Sequence, residues 1–259
     1  MNIVVTVKQI PDPAVPGELN PDHTLKREGK LILDESDSYG VEMALQLVDK
    51  AGGGDVILVS MAPNAEVSGL RTALAMGAAK AILVSDDSLH GADALTTARV
   101  LAKCVERAGD VDLVITATES TDGYTGTIPA QVAQLLDWPS LTFTKEIEIA
   151  DAKAKVQRQT EAGYDEVEAA LPAVVSVTAG VVEPRYPSFK GIMAAKSKPV
   201  DEVTCGDLGI DAGSVGWAGG DQEIVAIEEA PKREAGEIFE DDGTGAEKIV
   251  AFLDNLKVI

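Results

Sequence analysis

Basic residues are scarce in this chain. Only 22 Lys and Arg stand against 43 Asp and Glu, a formal net charge of −21 over 259 residues. That balance argues against binding to nucleic acid or to anionic membrane surfaces, which recruit cations to neutralise phosphates. It favours solubility and selection of basic partner surfaces. Cysteine is limited to Cys104 and Cys205. They lie far apart without metal-ligand spacing and read as free thiols, Cys104 within a helical, core-facing pattern. His23 and His90 have no neighbouring Cys, Glu or second His, so each reads as a surface-loop or cap residue. Aromatics make up 4% of the chain, leaving Ala, Val, Leu and Ile to build the core. No apolar run approaches the ~20 residues of a membrane span, so no direct membrane insertion is expected. The N-terminal residues 1–8 lack the basic segment, apolar stretch and cleavage site of a secretory leader, and a cytoplasmic location is the expectation. A Gly-x-Gly-x-x-Gly is missing after the first apolar run, where Lys8-Gln9-Ile10-Pro11-Asp12-Pro13 stands instead, and no Walker A sequence occurs. The sequence shows no acid–base pair, nucleophile triad or metal cluster.

Alternation is what the chain does have. Apolar runs at 3–7, 56–60, 81–84 and 113–115 are short and apolar on successive positions, as expected of strands buried on both faces of a parallel sheet. Helical patterns at 38–50, 65–76 and 92–107 separate them, with Gly77 and Gly109 where C-caps belong. A fourth helix is expected over 129–138, with Pro129 near its start. The fold class is therefore α/β, a doubly wound and mainly parallel sheet. Residues 141–149, 154–160 and 164–170 alternate apolar and polar side chains, which predicts an antiparallel addition ahead of a buried strand at 173–177. Residues 199–259 are rich in Gly and acidic clusters and thin in apolar content until a final amphipathic segment at 246–256. They read as an extended C-terminal arm beside a domain of residues 1–198, with a disordered tail as the alternative.

The best ligand loop follows the fourth strand and runs from Thr116 to Pro129. Gly123 and Gly126 free backbone amides at the start of a helix, and Thr125 and Thr127 add hydroxyls, making a candidate anion cradle. It lies at the C-terminal end of a parallel strand, where open α/β sheets bind ligands. The competing reading is an ordinary Ser/Thr-rich capping loop.

The most specific block is Leu171-Pro172-Ala173-Val174-Val175-Ser176-Val177, then Glu183-Pro184-Arg185-Tyr186-Pro187-Ser188-Phe189-Lys190, then Ile192-Met193-Ala194-Ala195-Lys196. Pro184 and Pro187 forbid regular pairing. Phe189, Ile192 and Met193 are apolar without a core to enter, beside Lys190, Lys196 and Lys198. Such a tip suggests docking, and an ordinary strand and turn is the alternative. The block resembles the β subunits of electron-transfer flavoproteins, particularly the actinobacterial type. The likeness extends to residues 5–9, 71–78 and 136–139, and only the last part of the chain matches weakly.

The resemblance implies an adenine-nucleotide α-hydrolase-like sheet and a heterodimer with an α subunit that holds most of an FAD. It implies an AMP bordered by Thr6, Asp34, Met61, Ala117, Asp122, Gly123, Thr125, Gly126, Thr127 and Ile128, with adenine near Thr6 and Met61 and phosphate near Gly126–Ile128. Loop 183–198 would recognise acyl-CoA dehydrogenases and other flavoprotein donors through Arg185, Tyr186, Phe189, Lys190, Ile192 and Met193. Electrons would leave toward a membrane quinone oxidoreductase, and the 199–259 arm would contact the α subunit. Asp34-Glu35 stands where many members have Asn-Pro, and Thr127-Ile128-Pro129 where they have Gln-Thr-Gly. Some relatives carry a second FAD in place of AMP. Other classes considered are a universal-stress-like regulatory module, which would not need residues 183–259, and an adenylylating enzyme, which needs a different loop after strand one.

Overall fold

The computed structural model describes residues 1–62, 64–228, 230–231, 236 and 238–259. In chain order the elements are β1 (Ile3–Thr6), β2 (Gln9–Ile10), β3 (Ile32–Leu33), α1 (Glu35–Lys50), β4 (Val56–Ala62), α2 (Ser68–Met76), β5 (Lys80–Ser85), α3 (Ala94–Ala108) and β6 (Leu113–Ala117). There follow α4 (Ile128–Leu136), β7 (Ser140–Ala150), β8 (Lys153–Thr160), β9 (Gly163–Ala170), β10 (Ala173–Val177), α5 (Phe189–Ala195), β11 (Val200–Val203), α6 (Gly216–Gly219) and α7 (Gly245–Asn255).

The unbroken apolar runs become central strands because both of their faces are covered. β1, β6 and β10 are buried at every position. The sheet has nine strands in the order β11-β5-β4-β1-β6-β10-β7-β8-β9, and β2 and β3 form a separate antiparallel pair. One face packs under α1 and α2 through Val5, Leu58, Leu74 and Ile115. The other packs under α3 and α4 through Val4, Val59, Val114 and Val132. The doubly wound α/β reading is thus correct. Gly77 and Gly109 end α2 and α3 with positive φ, as read from the sequence. Cys104 is fully buried, and burial pushes its thiol up to about 12. His90 caps a 3-10 turn, with Nε2 2.7 Å from Asp22 Oδ2.

Several boundaries move. α1 begins at Glu35 rather than 38 because Asp34 caps it, accepting the Ser36 amide. β7 belongs to the parallel sheet, pairing β10 in the same direction, so the antiparallel addition starts only at β7–β8. Residues 189–195, read as loop, form the short helix α5, whose first turn is closed by Ser188 Oγ accepting the Gly191 amide. Residues 200–203, read as part of the arm, extend the sheet as β11 beside β5. The first compact unit runs to Glu223, past the boundary read at 198, and the second is Ile224–Ile259.

Within that second unit α7 leaves Ile249, Val250, Phe252 and Leu256 exposed, and the Lys248 ammonium sits 5.2 Å from the Phe239 ring centre. The arm as read includes residues 229, 232–235 and 237, which lie outside the described residues. Among the described residues no helix is long and apolar enough to cross a membrane, and no cluster of acidic, Cys and His side chains could hold a metal.

Candidate functional site

The chain winds from β1 outward through β4 and β5, and from β6 outward through β10 and β7. The order therefore reverses between β1 and β6, and a crevice opens beyond their C-terminal ends, the usual ligand position in such sheets. Thr6 ends β1 and Ala117 ends β6, both buried; Met61 lies near the end of β4, half-buried. The loop from Thr118 to Thr127 overhangs this crevice. Gly126 adopts φ +67°, the left-handed region a side chain resists, and turns the loop into α4. Thr127 is the N-cap residue of α4 but makes no side-chain cap hydrogen bond, so its exposed hydroxyl and the first-turn amides, Pro129 having none, are available to an anion. Ile128 opens that helix, and Gly123 and Thr125 are exposed on the loop. Thr6, Met61, Ala117 and residues 122–128 are thus set around the ends of neighbouring strands.

Asp34 and Asp122, which the resemblance places beside a nucleotide, are engaged by groups of this chain. Asp34 is fully buried. One carboxylate oxygen caps α1, and the other accepts the Thr121 amide at 2.8 Å and its hydroxyl at 3.1 Å. Asp122 Oδ1 lies 2.6 Å from Lys8 Nζ, and Oδ2 accepts from the Arg27 guanidinium. Burial pushes the Asp122 carboxyl up, but the Lys8 and Arg27 charges outweigh it and hold it below the ordinary carboxylate value. Next to this group Asp37 accepts the Lys8 amide at 2.6 Å. Burial drives the Asp37 carboxyl well above its ordinary value, against that hydrogen bond and with the nearby Asp34 and Asp122 charges adding to the rise. Lys8, Arg27 and Asp37 were not singled out in the sequence. Lys8 directly follows the first strand, which was a usable signal; Arg27 arrives from the long excursion between β2 and β3, which gave none.

The 183–198 segment leaves β10 and is tied at both ends. Arg185 donates from Nε to Glu42 Oε2 at 2.6 Å and from Nη2 to Glu42 Oε1 at 3.1 Å, fixing its start to α1. Burial raises the Glu42 carboxyl, but hydrogen bonds from Arg185 and Gln46 prevail and lower it. At the other end Arg71 Nη1 donates to the carbonyls of Ala195 and Lys198 at 2.7 and 2.8 Å. Lys198 turns inward to cap α2, donating to Leu74 and Ala78 carbonyls at 2.9 and 2.6 Å. It therefore does not stand outward beside the apolar tip, as Lys190 and Lys196 do. Between the ties Tyr186 is 93% and Phe189 81% exposed, with Ile192 and Met193 about half exposed beside them.

A cleft of about 720 Å³ opens beyond β6, β10 and β7, lined by residues including Ser36, Glu119, Phe143, Gln159 and Thr178. Phe143 holds φ +57°, in the left-handed region, beside an irregularity in β7. Sequence reading gave no sign of this cleft, since its walls come from five separate segments.

Comparison with known proteins agrees with the fold. The electron transfer flavoprotein domain model matches residues 22–208. An electron transfer flavoprotein subunit beta of Mycobacterium tuberculosis is 39% identical over 264 aligned positions, covering 100% of this chain and 99% of the relative. The corresponding subunit of Thermoanaerobacterium thermosaccharolyticum is 37% identical, with 92% of each chain covered. Caffeyl-CoA reductase-Etf complex subunit CarD of Acetobacterium woodii is 35% identical over 92% of each. With a family match over most of its length and full-length relatives at this identity, the chain belongs to the electron transfer flavoprotein family as a β subunit.

Proposed function

We propose that this chain is the docking and nucleotide-holding subunit of a cytoplasmic electron carrier. Family membership implies an electron-transfer role, a flavin and an α-subunit partner. In the proposed assembly the α subunit holds most of the FAD, and this chain walls one side and contributes its 224–259 arm to the contact. The complex takes electrons from acyl-CoA dehydrogenases or similar flavoprotein dehydrogenases and delivers them to a membrane quinone oxidoreductase. The flavin supplies the redox chemistry, while the protein sets its position and access.

A structural AMP fits the crevice at the ends of β1 and β6. A side chain begun at Gly123 would come within 3.1 Å of Ser120 Oγ, so the loop closes tightly on itself at that position. Gly126, Thr127 and Ile128 would meet the phosphate, and Thr6 and Met61 the base.

The observation that carries the docking reading is the apolar patch of Tyr186, Phe189, Ile192 and Met193, held outward on a segment fixed at both ends. An exposed aromatic cluster on an anchored stem is unfavourable in water and gains when a partner covers it. Lys190 and Lys196 would steer acidic partners toward it. Reduction of the purified α–β complex by its dehydrogenase, followed against partner concentration, tests the reading. Phe189→Ala should cost ~2 kcal/mol of binding, raising half-saturation roughly thirtyfold with FAD content unchanged. An unchanged half-saturation would sink it.

A further inference from the structure

Phe143 stands apart from the rest of β7. In a regular strand it would share the face of Leu141, which is buried. The irregularity in β7 turns it out instead, with φ +57° and nearly half of its surface exposed. A left-handed backbone is costly for an aromatic residue and persists only where the surroundings impose it. The Phe143 amide donates to Oγ of the buried Ser176 at 3.0 Å. Arg158 Nε donates to the preceding carbonyl, that of Thr142, at 3.2 Å. The next residue, Thr144, is fully buried, and its carbonyl accepts the Thr178 amide at 3.0 Å. Groups from β8, from β10 and from the residue after β10 thus hold the bulge on every side. Its result is an aromatic ring taken out of the core and set in the wall of the 720 Å³ cleft.

The rest of that wall is polar but carries no positive charge. Ser36 offers a hydroxyl and Gln159 a carboxamide, while Glu119 and Glu161 bring carboxylates; no Lys, Arg or His is among the lining residues. Such a lining repels phosphates, which need cations. It suits an uncharged planar ring with polar edges, and the volume is that of a small-molecule site.

We propose that Phe143 is a flavin-contacting residue: the uncharged ring system of the FAD enters this cleft against the Phe143 ring, and the phosphates stay outside it. The inference rests on the reading that this chain walls one side of the FAD. Contact between aromatic rings stabilises the bound flavin beyond the area it buries. The bulge gives that contact a fixed platform, because its neighbouring peptide groups are already tied.

The test titrates FAD back into the flavin-depleted α–β complex and follows affinity together with the visible flavin spectrum. Phe143→Gly is the decisive variant, because glycine accepts φ +57° without strain and so removes the ring while keeping the bulge. It should weaken FAD about fivefold and blur the fine structure of the visible bands as water reaches the flavin. Phe143→Tyr keeps an aromatic ring and should match wild type. Gln159→Trp, at an exposed position on the same wall, should narrow the cleft and weaken FAD at least as much. Unchanged affinity and spectrum in Phe143→Gly overturn the proposal. So does a Phe143→Tyr complex as impaired as Phe143→Gly, which would mark the position as part of the fold alone. If Gln159→Trp responds while Phe143→Gly does not, only the role of Phe143 falls. If both are silent, the reading of this chain as a wall of the flavin falls with it.

Discussion

The loop after β6 and the segment after β10 start level with one another, from strands paired Leu113 to Ala173 through Ala117 to Val177. They are then tied in different places. The β6 loop is held at its middle, where Asp34 takes Thr121 and Lys8 and Arg27 take Asp122. Its Gly126–Ile128 end is left to present backbone amides and a free hydroxyl. The β10 segment is held at its ends, by Arg185 on Glu42 and by Arg71 on the carbonyls after α5. Its middle is left to present apolar side chains. Where the ties fall thus decides whether a polar cradle or an apolar patch is offered, although charged side chains do the holding in both.

Breaking the ties one at a time should separate the two functions. The largest effect is expected from Gly191→Ala. A Cβ there would lie 2.5 Å from the Ala75 carbonyl oxygen, so α5 must lift off α2 and carry Phe189, Ile192 and Met193 with it. Half-saturation by the dehydrogenase should rise more than the roughly thirtyfold expected for Phe189→Ala, while nucleotide content stays at the wild-type level. Loss of nucleotide in step with docking would show the two segments to be one unit.

Arg185→Met should come next. It strands the Glu42 carboxylate, whose side chain is 5% exposed, while Arg185 itself is 41% exposed, so about 1–2 kcal/mol of stability is expected to be lost rather than the full cost of a buried pair. Denaturant unfolding of the complex measures this, and an unchanged midpoint would contradict the anchoring role.

The smallest effect concerns pH, and two neighbouring carboxylates should act with opposite signs. Asp37 titrates higher folded than unfolded, so it costs stability as pH rises above the ordinary carboxylate value. Asp37→Asn should therefore stabilise the complex by about 1 kcal/mol at pH 8, with the gain fading toward pH 4. A gain that does not vary with pH would argue against a buried, proton-binding Asp37. Asp122 titrates lower folded, so its contribution is present above the unfolded value and is lost as acid protonates it through the folded value.

The central strands were legible because burial on both faces leaves an unbroken apolar run. The exposed apolar tip after β10 was legible because Phe189, Ile192 and Met193 had no core to enter. The turn from β6 into α4 was legible from Gly123, Gly126 and Pro129. What stayed hidden depends on contacts that no local period records. Lys8 meets Asp122 across 114 residues and Arg27 meets it across 95. β7 alternates like any half-buried strand, and only its pairing with β10 makes it parallel. α5 is too short for a helical period to show. β11 reads as polar because it is an edge strand, exposed at Asp201 and Glu202. Lys198 stands near Lys190 and Lys196 in sequence, but it satisfies carbonyls at and beyond the end of α2.

The most direct test is the ligand content of the purified α–β complex, released by denaturation and separated by chromatography. Wild type should release one AMP for each FAD. Thr127→Glu places a carboxylate at the uncapped start of α4 and should retain the FAD, lose the AMP and leave the dehydrogenase half-saturation unchanged. Release of a second FAD in place of AMP, or loss of FAD together with AMP from the variant, would contradict the account.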